Sequence, residues 1–565
     1  MLSQTPWCSG PILLCKILAP QPRFRTVKLS TTTLCLALGL ASLGCRSTLD
    51  YKIEADREAY ELVQSRRDEL FGHRGDFSIE PPVDSLRARI LQGNSPEMGP
   101  LDLPESLRIA AENNRDYQTR KERLYLAALD LTLERWRLGW IAEGGGAVGI
   151  DGLGAHAGQQ SGSTEFGLRR VLGTGAEIVG SIGLSIVKDL TSNSGATTSS
   201  SLSFFFTQPL LAGSGELIVY EDLTQAERDL VYEVRSFERF RRELAVDLAS
   251  RLLRLHESLE RIDNEQRNYE NVALIRERNE ALSEAGRLSA IQVDQARQNE
   301  LSSENRLIGV RLGFETLMDS FKLLLGLPMS AALMIAPTEL ERLADSKLAD
   351  DSLSSELALS IACANRPDFL TVVDRVVDAE RQSRVAEDAM GMGLDITSSI
   401  QAPSNSDEPF RYNFKNVSWD LGLILDLPID RLPQRNAYRT SLIRWQAAAR
   451  DAAEFQDNMA SDLRASLREV VASKESLAIQ EMAVTLAEKR VESAGLNLAA
   501  GRADTRDLLD AQDSLVESRN GRNRALIDLT LARLQLALDL GLLRVDGSGI
   551  RMEAVANPAT QEVSE

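Results

Sequence analysis

Two aspartates at a helical spacing are the residues of this sequence best placed to act on a ligand. Asp507 and Asp510 stand three positions apart, so on a helix they share one face, where paired carboxylates would favour cations. A solvated helix face is the alternative, because the chain carries 83 acidic residues. The formal net charge of −19 also argues against a nucleic-acid partner, which needs a basic surface.

No arrangement of residues for catalysis is recognisable in the sequence. The three histidines (His73, His156 and His256) are scattered along the chain, and together with Cys363 they lack the spacing of a zinc site. A Walker-type phosphate-binding loop is also missing from the sequence. We therefore predict that the protein is not an enzyme and needs no cofactor or metal.

The N-terminus predicts export from the cytoplasm. The first 45 residues contain no Asp or Glu, and an apolar run over 34–43 ends at Gly44-Cys45. Such a run is too short to cross about 30 Å of hydrocarbon and is typical of a secretory signal, which we assign to residues 1–44. The sequence before Cys45 is similar to a bacterial lipobox, except that Ser42 replaces the usual Leu, so we predict lipidation of Cys45. Ordinary signal cleavage with an unmodified Cys45 is the alternative.

Two long stretches without proline predict long helices, because a proline inside a helix costs about 3 kcal/mol. One lies between Pro209 and Pro328, and the other between Pro433 and Pro558. A helix over 214–285 would be about 105 Å long at about 1.5 Å per residue. Flanking helices over about 105–142 and 288–325 would each reach roughly half that length. A plain coiled-coil bundle would show the same features.

The second half of the chain repeats the first. A shift of 215 positions takes Gly286 to Gly501, and it takes Gly326 to Gly541 within Leu-Gly-Leu in both places. We therefore predict a mainly α fold with a small β part, built from two repeats of long helices. The predicted segments are 1–44 (signal peptide), 45–104 (lipid-anchored linker or collar), 105–328 (first repeat), 329–355 (linker), 356–543 (second repeat) and 544–565 (tail).

Each repeat also contains segments in which apolar and polar residues alternate. They lie at 176–187 and 201–206 in the first repeat, and at 394–400 and 417–425 in the second. This alternation indicates membrane β-strands, although a small soluble sheet with one wet face alternates in the same way. We predict four strands per chain, too few to close a barrel, so three chains would share twelve strands. The Gly-rich segment 144–172 is compatible with a strand extension or with an extra hairpin.

In both repeats the sequence resembles the TolC family of outer-membrane efflux proteins, over about 103–543. The residues that carry the resemblance are Ala110-Ala111-Glu112-Asn113-Asn114, Gln208-Pro209-Leu210, Ala285-Gly286-Arg287-Leu288-Ser289, Leu325-Gly326-Leu327-Pro328, Ala500-Gly501-Arg502-Ala503-Asp504 and Asp507-Leu508-Leu509-Asp510-Ala511. The resemblance implies a homotrimer, with one twelve-stranded β-barrel in the outer membrane and a long α-helical barrel in the periplasm. It also implies contact with outer-membrane lipid and, as partners, a periplasmic adaptor and an inner-membrane pump. Many family members are lipoproteins, which agrees with Cys45.

The resemblance also implies roles for individual residues. Asp507 and Asp510 would line the periplasmic aperture, where three copies would form a ring of carboxylates that favours cations and raises some of their pKa values. The first repeat carries Gln292 and Gln295 at the equivalent places, which halves the possible charge. The residues expected at the helix tips that meet the adaptor are Gly286, Arg287, Gly501, Arg502 and Asp504.

The function predicted from these features is a passive exit duct. The chain would be an outer-membrane channel subunit of a tripartite efflux system or a type I secretion system. The alternative is a lipid-anchored periplasmic coiled-coil scaffold without a pore. The sequence leaves open whether drugs, metals or proteins are exported.

Overall fold

The computed structural model describes residues 46–552 except 73–76, 83, 94–98, 154–155, 191–194, 337–338, 345–352, 406–407, 428 and 547–548. The predicted signal peptide and Cys45 lie outside these residues. In the described part of the chain, no helix is both long enough and apolar enough to cross a membrane. The chain divides into two compact units, Met1–Arg57 and Glu58–Glu565.

The described part of the first unit contains the start of helix α1 (Thr48–Phe71). Its first turn is capped, because the Asp50 amide donates to Ser47 Oγ at 3.2 Å and the Ser47 amide donates to Asp50 Oδ2 at 3.0 Å. This exchange satisfies backbone donors that the first turn of a helix would otherwise leave free.

Helices dominate the second unit. They are α2 (Leu86–Leu91), α3 (Leu103–Asn113), α4 (Arg115–Arg137), α5 (Glu216–Val219), α6 (Glu221–Glu284), α7 (Ala290–Leu324), α8 (Glu339–Ala344), α9 (Ser355–Asn365), α10 (Pro367–Asp388), α11 (Leu432–Ala499) and α12 (Thr505–Asp539). The longest, α6 with 64 residues and α11 with 68, extend about 96 Å and 102 Å at about 1.5 Å per residue. The proline-free stretches therefore form the long helices that the sequence predicts.

The predicted helix over about 105–142 is interrupted at Asn114. This residue has an extended backbone (φ −71°, ψ 130°), and its side-chain oxygen accepts from the Tyr117 amide at 2.8 Å. Asn114 thus ends α3 and caps the N-terminus of α4, as Asn does when its side chain competes with the helical backbone.

The long helices lie side by side around apolar cores. Helices α6 and α12 are in contact, α7 packs on α6, and α11 packs on α12. The largest core joins α6, α7 and α12 through residues such as Leu248, Phe321 and Leu534. A second core joins α9, α11 and α12 around Leu463, and a third joins α1, α4 and α6 around Leu230.

One antiparallel sheet gathers strands from both halves of the chain. Its strands are β1 (Ile141–Leu153), β2 (His156–Val171), β3 (Glu177–Asp189), β4 (Thr197–Pro209), β5 (Gly393–Asn405), β6 (Glu408–Tyr412) and β7 (Ser418–Asp426). They pair in the order β1-β2-β3-β4-β5-β7, and the short β6 pairs with the far end of β5. Strands β8 (Leu543–Asp546) and β9 (Gly549–Met552) form a separate hairpin after α12.

The prediction of four strands per chain is wrong. The segment 144–172, which the sequence left open, forms most of the hairpin β1-β2, and this hairpin joins the sheet along β3. Its pattern is hidden in the sequence because glycines at 144, 145, 146 and 149 remove side chains from both faces of β1. The predicted total of twelve strands for three chains rests on the smaller count and does not follow from this sheet.

Candidate functional site

One face of the sheet carries apolar side chains on all six long strands. Because side chains alternate between the faces of a strand, the register decides which residues share a face. One row of paired positions reads Ala142, Leu168, Gly180, Phe204, Ile400 and Trp419, from β1 to β7. Many large side chains of this face are exposed, from 38% for Leu202 to 82% for Val148, and others such as Ile186 and Phe206 are half-buried. A continuous exposed apolar surface marks contact with lipid or with another chain.

The opposite face of the sheet is mainly polar. The adjacent row of paired positions reads Glu143, Gly167, Ser181, Ser203, Gln401 and Ser418. Side chains on this face bond across the strands, as Ser399 Oγ does to Asp420 Oδ1 at 3.1 Å. Phe205 and Ile424 are exposed apolar exceptions. An apolar face backed by a polar face is typical of a wall between lipid and water.

Two helical tips lie at the far ends of the long helices. Gly286 follows α6 with φ +65°, and Gly501 follows α11 with φ +70°. At each tip the backbone amide of the residue after the glycine donates a hydrogen bond to a carbonyl oxygen in the last turn of the helix. Arg287 N donates to Leu282 O and Arg502 N donates to Asn497 O, both at 2.8 Å. These are Schellman-type ends, in which glycine accepts the left-handed backbone at little cost. Both arginine side chains are exposed.

The aspartates after the second tip have distinct local roles. Asp504 and Asp507 form a capping box at the start of α12, and the Asp504 amide donates to Asp507 Oδ2 at 3.2 Å. Asp504 also accepts from Gln292 Nε2 at 3.3 Å, which links the two tips. Asp510 lies one turn further along, exposed, with its Oδ2 at 3.9 Å from Arg506 Nε. Asp507 thus stabilises the helix start, whereas the side-chain contact of Asp510 within the described residues is a loose ion pair.

Solved structures similar to this chain include outer-membrane channels and proteins. The CmeC outer-membrane channel of Campylobacter jejuni has a TM-score of 0.57 and 12% identity, over 80% of this chain and 87% of that channel. The VceC outer membrane protein of Vibrio cholerae has a TM-score of 0.57 and 14% identity, over 78% of this chain and 96% of that protein. The open state of the MtrE outer membrane channel of Neisseria gonorrhoeae has a TM-score of 0.57 and 14% identity, over 78% and 89%.

The chain has an outer-membrane channel fold. This fold, mostly helical with a smaller sheet, confirms the predicted fold class at that level, and it confirms for the fold the resemblance to the TolC family. No family model and no curated protein matches the chain by sequence. The likeness to these structures is therefore one of fold, at sequence identities of 12–16%.

Sequence reasoning missed a polar seam in this channel fold, between α6 and α12 on the side of the tips. Asn279 Nδ2 donates to Thr505 Oγ1 at 3.2 Å, and Asn264 Nδ2 donates to Asn520 Oδ1 at 2.9 Å. Asn268, only 1% exposed, donates to Asp513 at 3.3 Å. Asparagines inside a long helix, where their propensity is low, were the available signal. Hydrogen bonds therefore join the two helices near the tips, beyond the largest apolar core.

Neither Cys363 nor His256 was predicted as a site residue. Among the described residues, no three or more of His, Cys, Asp and Glu gather in a position to hold a metal ion. Cys363 is a free, partly buried thiol in α9, and burial raises its pKa. His256 lies within α6, far along the helix from either tip.

Proposed function

We propose that the chain is a subunit of an outer-membrane channel that provides a passive exit duct across the outer membrane and the periplasm. In this proposal it serves a tripartite efflux system or a type I secretion system. The sheet spans the outer membrane, and the long helices extend about 100 Å into the periplasm. The two halves of the chain are repeats of one unit in the same proposal.

The two-faced sheet is the observation that carries this proposal. A soluble sheet would cover its apolar face with other elements. Here the apolar face holds exposed side chains such as Val148, Trp419 and Leu423, at 82%, 74% and 70%. A lipid environment accounts for that exposure, while the row from Glu143 to Ser418 faces the water of the duct.

Apolar residues at both edges of the helical layer support a homotrimer. In α11, Ile479, Met482 and Leu486 lie on one face at helical spacing and are 58–66% exposed. In α7, on the other side of α6 and α12, Leu301 and Ile308 are 60% and 58% exposed. Packing of α11 of one copy against α7 of the next would bury both rows and close a ring.

The tips are the proposed meeting point with a periplasmic adaptor and, through it, an inner-membrane pump. At both Gly286 and Gly501, no atom lies within 4 Å of the position that a Cβ would occupy, so the turns are open to a partner. Arg287, Arg502 and Asp504 lie beside these turns and offer polar contacts. Lipidation of Cys45, which lies outside the described residues, would anchor the chain to the membrane.

The proposed periplasmic aperture carries Asp507 and Asp510 from each copy. Its selectivity would depend more on Asp510, because Asp507 already accepts the Asp504 amide in the capping box. A ring of carboxylates around a narrow axis attracts cations. Export remains passive in this proposal, with energy supplied by the pump.

Single-channel recording in a planar bilayer tests the proposal. The purified wild-type protein should give discrete, cation-preferring conductances. Asp507→Asn/Asp510→Asn should lower the K⁺ over Cl⁻ permeability ratio by about twofold or more, because charged rings set the selectivity of a pore. Asp510→Asn alone should account for the larger share of that change.

Glu315→Gln/Asp319→Asn is the matched control. It also removes two negative charges from an exposed helix, but near the end of α7 that is remote from the tips. Its permeability ratio should equal that of the wild type. Equal permeability ratios in all variants would be compatible with the pore but would contradict the proposed aspartate ring. A folded trimer without any conductance would instead favour a coiled-coil scaffold.

A further inference from the structure

The hairpin β1-β2 is built into the sheet along most of its length. Strand β2 pairs with β3 from Val171 opposite Glu177 to Gln159 opposite Asp189, so the hairpin does not branch off at either end. On the polar face, Arg169 Nε of β2 forms an ion pair with Glu177 Oε1 of β3 at 2.5 Å. The hairpin and the other four long strands thus form one continuous wall.

The hairpin also continues both faces of that wall. Val148 and Ile150 of β1 and Phe166 and Leu168 of β2 lie on the apolar face, and all four are exposed. At the base of this face, the Arg170 guanidinium lies 5.5 Å from the ring centre of Trp140. Tryptophan and arginine are suited to the boundary between lipid and water. The hairpin therefore carries the surface of a membrane strand pair, including an interfacial end.

Within the part of the chain that the structure describes, β1 pairs only with β2 and β7 only with β5, so these strands are the two edges of the wall, and their directions are complementary. Strand β1 leads away from α4, whereas β7 leads back into α11, so the two edges run in opposite directions. Copies related by rotation can therefore join β7 of one to β1 of the next as an antiparallel pair. Unpaired backbone groups are not tolerated in hydrocarbon, so these edges require a partner.

Glycines on β1 fit such a pairing. Gly145 has no neighbouring atom within 4 Å of the position that a Cβ would occupy, and Gly144 and Gly146 flank it. Glycine within a strand often marks a place where another backbone approaches closely. A neighbouring chain can thus reach the β1 backbone without displacing side chains.

We propose that β1 of each copy pairs with β7 of the next copy, so that the hairpin widens the shared wall. This inference rests on the proposed trimeric channel. With six long strands from each of three copies, the barrel would contain eighteen strands rather than the twelve first predicted. Since barrel diameter grows roughly linearly with strand number, the duct at the membrane would be about one and a half times as wide.

Cysteine crosslinking in native membranes tests this pairing. In a Cys363→Ala background, Gly422→Cys on the polar face of β7 is combined in turn with Gly145→Cys, Ala147→Cys or Gly149→Cys on the polar face of β1. Three positions are used because the register between copies is to be found. With an added oxidant, at least one pair should shift most of the monomer into covalent dimers and trimers. The same β7 cysteine with Val148→Cys, on the opposite face, should leave the protein monomeric on a denaturing gel.

A second combination, Gly422→Cys with Ser185→Cys, tests the alternative arrangement. In that arrangement β7 of one copy would pair with β3 of the next, and the hairpin β1-β2 would lie outside the barrel. Both edges of β3 are occupied by β2 and β4 in the proposed arrangement, so this combination should not crosslink. Crosslinking at β3, or at neither strand in protein that conducts, would overturn the proposal. Absence of conductance from the uncrosslinked Cys363→Ala protein would count against the channel itself, and this readout is separate from the position of the crosslinks.

Discussion

The two longest helices of the molecule are alike in length but differ in what they bury. Helix α6 has twenty buried residues, whereas α11 buries five, namely Met459, Leu463, Val470, Ser473 and Ala487. The reason is position: α6 lies among α4, α7, α10 and α12, while α11 lies at one side of the layer against α10 and α12. The difference shows that α6 is the central helix of the single chain, and in the proposed trimer the exposed apolar surface of α11 would lie between chains.

The largest effect is expected from breaking the exposed face of α11. Ile479→Asp/Leu486→Asp should abolish the trimer while leaving the helical content of the monomer intact. Each replacement forfeits about 1.5–3 kcal/mol of apolar burial, so the association constant should fall by at least a hundredfold. Light scattering on detergent-purified protein measures the assembly state, and circular dichroism measures the helix content.

Glu475→Ala is the control for that experiment, because it changes an exposed charged position of the same helix. It should remain trimeric. A trimer that survives the double aspartate replacement would mean that α11 faces solvent or the duct in the assembly. The contrast between α6 and α11 would then have no bearing on oligomerisation.

The same contrast marks what the sequence could and could not predict. Proline-free runs and apolar spacing located α6 and α11, and the glycines located both tips, because these signals are local. Which helix lies centrally depends on contacts between distant segments, and no local pattern encodes it. Leu486 and Leu248 are both leucines at helical spacing, yet Leu486 is 66% exposed and Leu248 is fully buried.

The sheet and the candidate site follow the same rule. Strands with large alternating side chains, such as β4 and β7, were recognisable, whereas the glycines of β1 leave no alternation to detect. Asp507 and Asp510 lie in the first turns of α12, shortly after Gly501. The capping role of Asp507 and the bond from Gln292 to Asp504 depend on side-chain geometry across two tips, which spacing does not provide.

The glycines that follow α7 and α12 allow a closer comparison of the two halves. Gly326 (φ +73°) lies against Asn113, and Gly541 (φ +76°) lies against Asn365. A Cβ at Gly326 would be 2.0 Å from the Asn113 carbonyl oxygen, whereas at Gly541 the nearest atoms, in Asn365, would be at 2.8 Å. The two halves thus have the same contact, but the first is tighter.

The loss of stability on alanine replacement should follow the same order, with the larger loss at the tighter glycine. We expect Gly326→Ala to lower the free energy of unfolding by about 3 kcal/mol or more, since the backbone must move and a positive φ must be held. Gly541→Ala should cost less. Gly286→Ala, where nothing lies within 4 Å, is the control and should cost about 1–2 kcal/mol for its backbone conformation alone. Denaturant unfolding of the detergent-purified protein gives the order, and a larger loss at Gly541 than at Gly326 would contradict it.

The residue two positions before each of these glycines differs in charge. The shift of 215 positions pairs Leu324 in the first half with Asp539 in the second. Asp539 is 7% exposed and accepts from Ser466 Oγ at 2.7 Å and from Gln535 Nε2 at 3.0 Å. Burial raises the pKa of this carboxyl, although these bonds and the nearby Arg239 and Arg366 act in the opposite direction. An ionisable group thus occupies a place that is apolar in the first half.

The smallest expected effect is a pH dependence that comes from this one carboxyl. Because its pKa is higher in the folded chain than the unfolded value of about 3.9, the folded chain holds a proton that the unfolded chain has released. Its contribution to stability is therefore full below pH 4 and declines as pH rises through the folded pKa. Thermal midpoints from pH 4 to pH 7 should fall less steeply in Asp539→Asn, which keeps a hydrogen-bond acceptor without the charge. The control Asp457→Asn, at an exposed position of α11, should retain the wild-type dependence of the thermal midpoint on pH. The same dependence in all three proteins would show that the pKa of Asp539 does not change on folding.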